Sequence, residues 1–143
     1  MICVDSSVAA KWWFVEEHSV RARSLLREAL TTAELVLAPT LLPCEIANVL
    51  RQRMRRGEMD RGEALEVLSG FLALPIEIQA PQGLHERALE IADEYGLPAV
   101  YDGHYVALAE MVGATLWTAD RRLLRAVGGK MPFLRDIAEY RQA

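Results

Sequence analysis

Short apolar stretches alternate with helix-period stretches along nearly the whole chain, and that alternation most restricts how it can fold. "MICV" (1–4), "ELVLA" (34–38), "PIEIQ" (75–79) and "ATLWT" (114–118) have strand length and apolar character. The segments between them carry apolar residues three and four apart, the spacing of a helix with one buried face. Strands separated by helices pair in parallel, because the return crossing uses up the intervening residues. The expected architecture is therefore α/β, a three-layer sandwich whose central, mostly parallel sheet carries helices on both faces. With 143 residues, a single domain spanning 1–143 accommodates all of it.

The pattern places a first helix after Asp5-Ser6-Ser7, running through Trp12, Trp13 and Phe14. A helix over 18–30 is expected to bury Val20, Leu25, Leu26 and Leu30. Pro39 ends the second strand, and a long helix follows from 41 to 56, stopped by Gly57. Asp60 is placed to cap the next helix, with Ala64, Leu68, Phe71 and Leu72 on its inner face. Helices over 84–95 and 102–112 close at Gly96 and Gly113. A helix starts behind Asp120, and Gly128-Gly129 turns into a last strand near 131–134. A helix buries one broad face, so one ring of the adjacent Trp12–Trp13 pair is expected near the surface, open to a base or a partner.

Charge and cysteine usage narrow the setting. A net charge of −4 argues against a chain that coats itself in nucleic acid through overall charge. Every basic residue except Lys11 and Lys130 is arginine, whose planar fork suits phosphate. No apolar run approaches the ~20 residues that cross a bilayer, and "MICVDSS" has neither the basic leader nor the apolar core of a secretion signal. Cys3 and Cys44 lack metal-ligand spacing and read as reduced thiols of a cytoplasmic protein.

The chemistry lies in the acids. In an open α/β sheet functional groups gather beyond the carboxyl ends of the strands. Asp5 follows the first strand and Asp120 follows "TLWT"; they share a crevice if those strands are neighbours. Asp102 opens a helix on the same edge, and Glu45 lies in the first turns of the helix leaving the second strand. Capping alone accounts for an aspartate at each of 5, 102 and 120, and the helix dipole for Glu45. It does not account for four carboxylates converging on one rim. Like charges about 4 Å apart repel by roughly 4 kcal/mol at an effective dielectric near 20. Such a cluster needs a cation, protonation or arginine neighbours, and hard oxygen ligands suit Mg²⁺ or Mn²⁺. His18, His85 and His104 have no ligand spacing, which argues against zinc.

"VDSSV" at the start, the Glu45–Asn48 stretch "EIAN", "YDGHYVALAE" (101–110) and "TADRRLL" (118–124) together resemble PIN-domain proteins, particularly VapC-type toxins of bacterial toxin–antitoxin pairs. The resemblance runs over nearly the entire chain, with motif order and spacing intact. It implies metal-binding acids at Asp5, Glu45, Asp102 and Asp120, with Thr118 as a supporting hydroxyl. It also implies an endoribonuclease using Mg²⁺ or Mn²⁺, cutting RNA to leave a 5′-phosphate. The implied partners are a cognate antitoxin and a second copy of the chain, docked through the helices of 41–73. Gly103 stands where alanine is common in the family, a departure that removes only a methyl.

A substrate must be held as well as cut. Asn48 lies one turn beyond Glu45, where it either supports the site or satisfies helix backbone. Arg56, in the basic run 51–61, returns to the face of Glu45 about 16 Å further along the helix, a sensible phosphate contact. Arg121 and Arg122 beside Asp120 are the other candidates. Phosphatases of the haloacid-dehalogenase type need an aspartate where this chain has Ser7, and receiver domains need a lysine that neither Lys11 nor Lys130 supplies. A non-catalytic binding module and a DNA-directed nuclease of the same fold stay open as alternatives.

Overall fold

The structure is a computed structural model, and it describes residues 1–142. Strands β1 (Ile2–Val4), β2 (Val36–Ala38), β3 (Ile76–Ile78), β4 (Thr115–Thr118) and β5 (Leu134–Asp136) form one sheet in the order β3-β2-β1-β4-β5. Each neighbouring pair is parallel, so the sheet is wholly rather than mostly parallel. The chain passes from β1 to β2 through α1 (Ser6–Ala9), a 3-10 turn at Ala10–Trp12 and α2 (Ser19–Thr32). It passes from β2 to β3 through α3 (Leu41–Arg55) and α4 (Arg61–Leu72). Helices α5 (Leu84–Glu94) and α6 (Tyr101–Val112) carry it back across to β4, and α7 (Arg121–Val127) joins β4 to β5.

The strand order reverses at β1. Because parallel crossovers are right-handed, the outward run places α1 to α4 on one face and the return run places α5 to α7 on the other. The reversal opens a crevice beyond the carboxyl ends of β1 and β4. Val4 is in register with Trp117, so Asp5 and Thr118 leave the sheet side by side. Topology alone thus brings together two groups that lie 113 positions apart in the chain.

Packing departs from the expected faces in two helices. α2 buries Ser19, Ala22, Leu25 and Ala29, while Val20 is 78% and Leu30 46% exposed. Small side chains at 22 and 29 let the helix lie close to its neighbours, and Val20 and Leu30 are turned outward. α4 buries Ala64 and Phe71 but leaves Leu72 60% exposed, although Asp60 caps it as expected, in a capping box with Glu63. β5 begins three residues later than the sequence pattern suggests, at Leu134; Pro132 has no N–H to give a sheet ladder. Among the described residues, no helix is long and apolar enough to cross a membrane.

The aromatic run behaves differently from a continuous helix. α1 ends at Ala9 and tightens into the 3-10 turn. Trp12 is buried, its indole N–H donating to the Ala22 carbonyl at 3.0 Å. Trp13 is half-buried, edge-on to Phe71 with centroids 5.9 Å apart, and its ring lies where a Cβ on Gly70 would meet it at 3.5 Å. Phe14 lies under the Arg53 guanidinium, 3.7 Å from the ring centroid. Neither tryptophan is a free ring; together these side chains clasp α3 and α4 onto the sheet.

Candidate active site at the strand ends

Asp5 leaves β1 in extended backbone, and its carboxylate accepts the Val8 N–H at 3.2 Å, capping α1. The same carboxylate accepts the hydroxyls of Ser7 and Thr118. It is almost fully buried. That burial pushes its pKa up to about 6, against the opposing pull of those hydrogen bonds, and the nearby Asp102 charge adds to the rise. Thr118, the buried last residue of β4, also accepts the Asp120 N–H at 3.0 Å. Ser7 accepts the Ala119 N–H at 2.9 Å. Hydroxyl groups therefore tie the end of β1 to the end of β4. Asp120 caps α7, its Oδ1 taking the N–H groups of Arg122 at 2.9 Å and Leu123 at 3.2 Å.

Asp102 is not a cap. The helix begins one residue earlier, at Tyr101, with Val100 in the N-cap position, so Asp102 lies within the first turn. Capping therefore gives no account of this carboxylate. Its pKa is raised by burial first, then by the charges of Asp120 and Glu45, and is partly relieved by Arg122. Asp102 is thus the acid through which the other three are electrostatically linked. Glu45 is held at both oxygens, Oε2 by the Ser6 hydroxyl at 3.0 Å and Oε1 by the Tyr105 hydroxyl at 2.6 Å. Burial, and then the Glu45 carboxylate, raise the Tyr105 phenol above its ordinary value, so it remains a donor.

None of the four carboxylates is engaged in an ion pair with a described lysine or arginine. Among the described residues, no three acidic, histidine or cysteine side chains close around one point at metal-binding distance. The acids share a rim within electrostatic reach of one another, and several of their oxygens are turned into protein hydrogen bonds. The four acids form an open rim linked through Asp102 and do not close into a cage. Its donor chemistry still fits a hard divalent cation: four oxygen-donor groups, none ion-paired with a side-chain cation among the described residues, two of them driven toward protonation.

The expected substrate contacts separate. Arg122 feels Asp102 and belongs to the rim. Arg121 is bound to Asp136 at 3.0 Å and lines a different cavity with Leu124 and Met131. Arg56 is paired with Glu58 at 2.8 Å, on the wall of a cavity that Ser6 and Ser7 also line. Asn48 is exposed and lines a cavity with Ser6, Glu45 and Tyr101. His85 and His104, unrelated by sequence spacing, are hydrogen-bonded through Nδ1 and Nε2 at 2.9 Å. Ser6, Ser7 and Tyr105 were not singled out by sequence. Tyr105, three residues beyond Asp102 on one helix face, carried the only available signal.

The PIN-domain family profile matches residues 2–130. The chain belongs to the PIN-domain family. Ribonuclease VapC12 of Mycobacterium tuberculosis is 31% identical to it over 128 residues, covering 90% of this chain and 93% of that protein. Ribonuclease VapC3 of Pyrobaculum aerophilum is 35% identical over 126 residues, covering 85% and 91%. In three dimensions this PIN domain is similar to the crystal structure of PAE2754 from Pyrobaculum aerophilum. The TM-score is 0.69 at 26% identity, over 96% of this chain and 90% of that one.

One departure in this PIN domain is not neutral. A Cβ at Gly103 would lie 2.5 Å from the Ala88 carbonyl oxygen of α5. The α5–α6 approach that brings Asp102 to the rim therefore requires glycine beside it.

Proposed function

We propose that this PIN domain is a metal-dependent endoribonuclease acting as the toxin of a toxin–antitoxin pair. The observation that carries the reading is the rim itself: four carboxylates linked electrostatically through Asp102 at the switch point of a parallel sheet, none of them ion-paired with a side-chain cation among the described residues. Asp5, Asp102, Asp120 and Glu45 would hold Mg²⁺ or Mn²⁺. Bound there, the ion supplies an activated water at neutral pH and offsets charge on the phosphate.

The protein's own residues then have distinct tasks. Ser7, Thr118 and the Val8 N–H fix the Asp5 carboxylate, while Thr118 also anchors the backbone at Asp120. Ser6 and Tyr105 hold Glu45 in place from two different helices. Asp102 and Glu45 position the attacking water. Arg122 and Asn48 border the rim and contact the strand; Arg56, further along α3, does so only on release from Glu58, and Arg121 on release from Asp136. RNA is the substrate by analogy with relatives named ribonucleases. The exposed Leu65 and Leu72 of α4 support pairing of two copies through the helices of 41–73, with an antitoxin as a further partner.

The test is cleavage of one sequence offered as single-stranded RNA and as single-stranded DNA, with Mg²⁺, with Mn²⁺ and with chelator. The expected outcome is metal-dependent cutting of RNA. Cutting of DNA alone overturns the ribonuclease assignment, and cutting of neither polymer favours a binding module.

A further inference from the structure

We propose that Lys11 contacts a backbone phosphate of the substrate strand, in a cavity that shares a wall with the carboxylate rim; this rests on the ribonuclease reading. The cavity is about 320 Å³ and is lined by Ser6, Ser7, Lys11, Glu16, Arg53 and Arg56, among others. Its two arginines are already engaged: Arg56 with Glu58 at 2.8 Å, and Arg53 with Glu58 at 3.1 Å and Glu16 at 3.8 Å. Lys11 differs. It is only 9% exposed, yet its side chain forms no ion pair or hydrogen bond with any described residue.

A buried ammonium with no partner is strongly disfavoured. The Lys11 nitrogen is not among the sealed, unpartnered polar atoms, so its stem is buried while its tip reaches the cavity. It lines the cavity and forms no ion pair with Asp5 or Asp102. What remains is a compact positive charge with three free donors, presented beside Ser6 and Ser7. Those hydroxyls are the ones that bind Glu45 and Asp5. A strand with its scissile phosphate at the acids carries a neighbouring phosphate past the two serines and onto Lys11. An ammonium reads such a phosphate as charge, without regard to base.

Lys11→Met keeps the buried stem and removes the charge. The experiment measures anisotropy of a short fluorescein-labelled single-stranded RNA, in chelator so that nothing is cut, across a salt series. Lys11→Met is expected to weaken binding about tenfold. It should also reduce the slope of log affinity against log salt by about 0.7. Lys11→Arg should restore most of both, and Lys130→Met, far from the rim, should change neither. Unchanged affinity and slope in Lys11→Met overturn the proposal. A lowered melting temperature with an unchanged slope also overturns it, by assigning Lys11 to packing. Because these readings are taken without cleavage, they are separate from the outcome of the metal-dependent assay, which alone judges the ribonuclease reading.

Discussion

Replacing Asp5 with asparagine is expected to lower RNA cleavage about a thousandfold while making the metal-free protein more stable at neutral pH. The two effects have one cause. Asp5 is buried, and its pKa stands at about 6 against an ordinary value of 3.8. For an acid raised in the folded state, the stability it contributes is complete below the unfolded value and is lost as pH rises through the folded one. Above pH 6 the ionised carboxylate is a burden on the fold, at most about 3 kcal/mol for a rise of this size. Asparagine resembles the protonated acid and cannot ionise. Its amide oxygen can still take the Val8 N–H, and its NH₂ can donate to a neighbouring hydroxyl. Thermal melts in chelator should therefore show no difference from wild type near pH 4. A gain should open between pH 4 and 6 and hold level above that. A variant that is inactive and also less stable at pH 7 would mean that Asp5 serves chiefly as the α1 cap.

Gly103→Ala should destabilise the fold and misplace Asp102. Two effects compete. Alanine gains up to about 1 kcal/mol in helix propensity over glycine. Against that, the new methyl would meet the Ala88 carbonyl oxygen at 2.5 Å, and the obstacle is backbone, which cannot step aside by a rotamer change. Overpacking of this kind costs about 1–3 kcal/mol, and the fixed backbone puts this case near the upper end. The net loss of about 2 kcal/mol lowers the melting temperature by roughly 5–10 °C. α6 must also move away from α5, taking with it Asp102 and the Tyr105 hydroxyl that holds Glu45. Cleavage should fall further than stability explains, even well below the melting temperature. A variant with wild-type melting and activity would show that the helices separate freely.

The sheet and two of its acids were legible because their signal is local. Asp5 and Asp120 each follow a strand directly, and the parallel order that makes those strands neighbours follows from helices lying between them. Glu45 was legible from its place after the second strand. For Asp102 the sequence leaves capping as a rival explanation; only the structure shows that the helix starts at Tyr101, which removes that rival. The buried face of α2 is set by the small residues Ala22 and Ala29, which a pattern of large apolar side chains does not mark; in α4 Ala64 and Phe71 lie inside as expected and only Leu72 turns out. Ser6 and Ser7 carry no sequence signal of their role, and Tyr105 only its spacing from Asp102, for another reason. Hydroxyls have many local uses, and only the tertiary structure shows these three converging on two carboxylates. Lys11 was passed over because nothing in its sequence neighbourhood marks it as unpartnered.

Manganese titration by calorimetry at pH 7, on wild type and on Asp5→Asn and Asp102→Asn, tests most directly whether these acids form one cation site. The expected result is saturable uptake by the wild type, weakening as pH falls toward 6 because protons compete for Asp5, and lost or strongly reduced in both variants. No uptake by the wild type, or uptake that survives neutralisation of both aspartates, would contradict it.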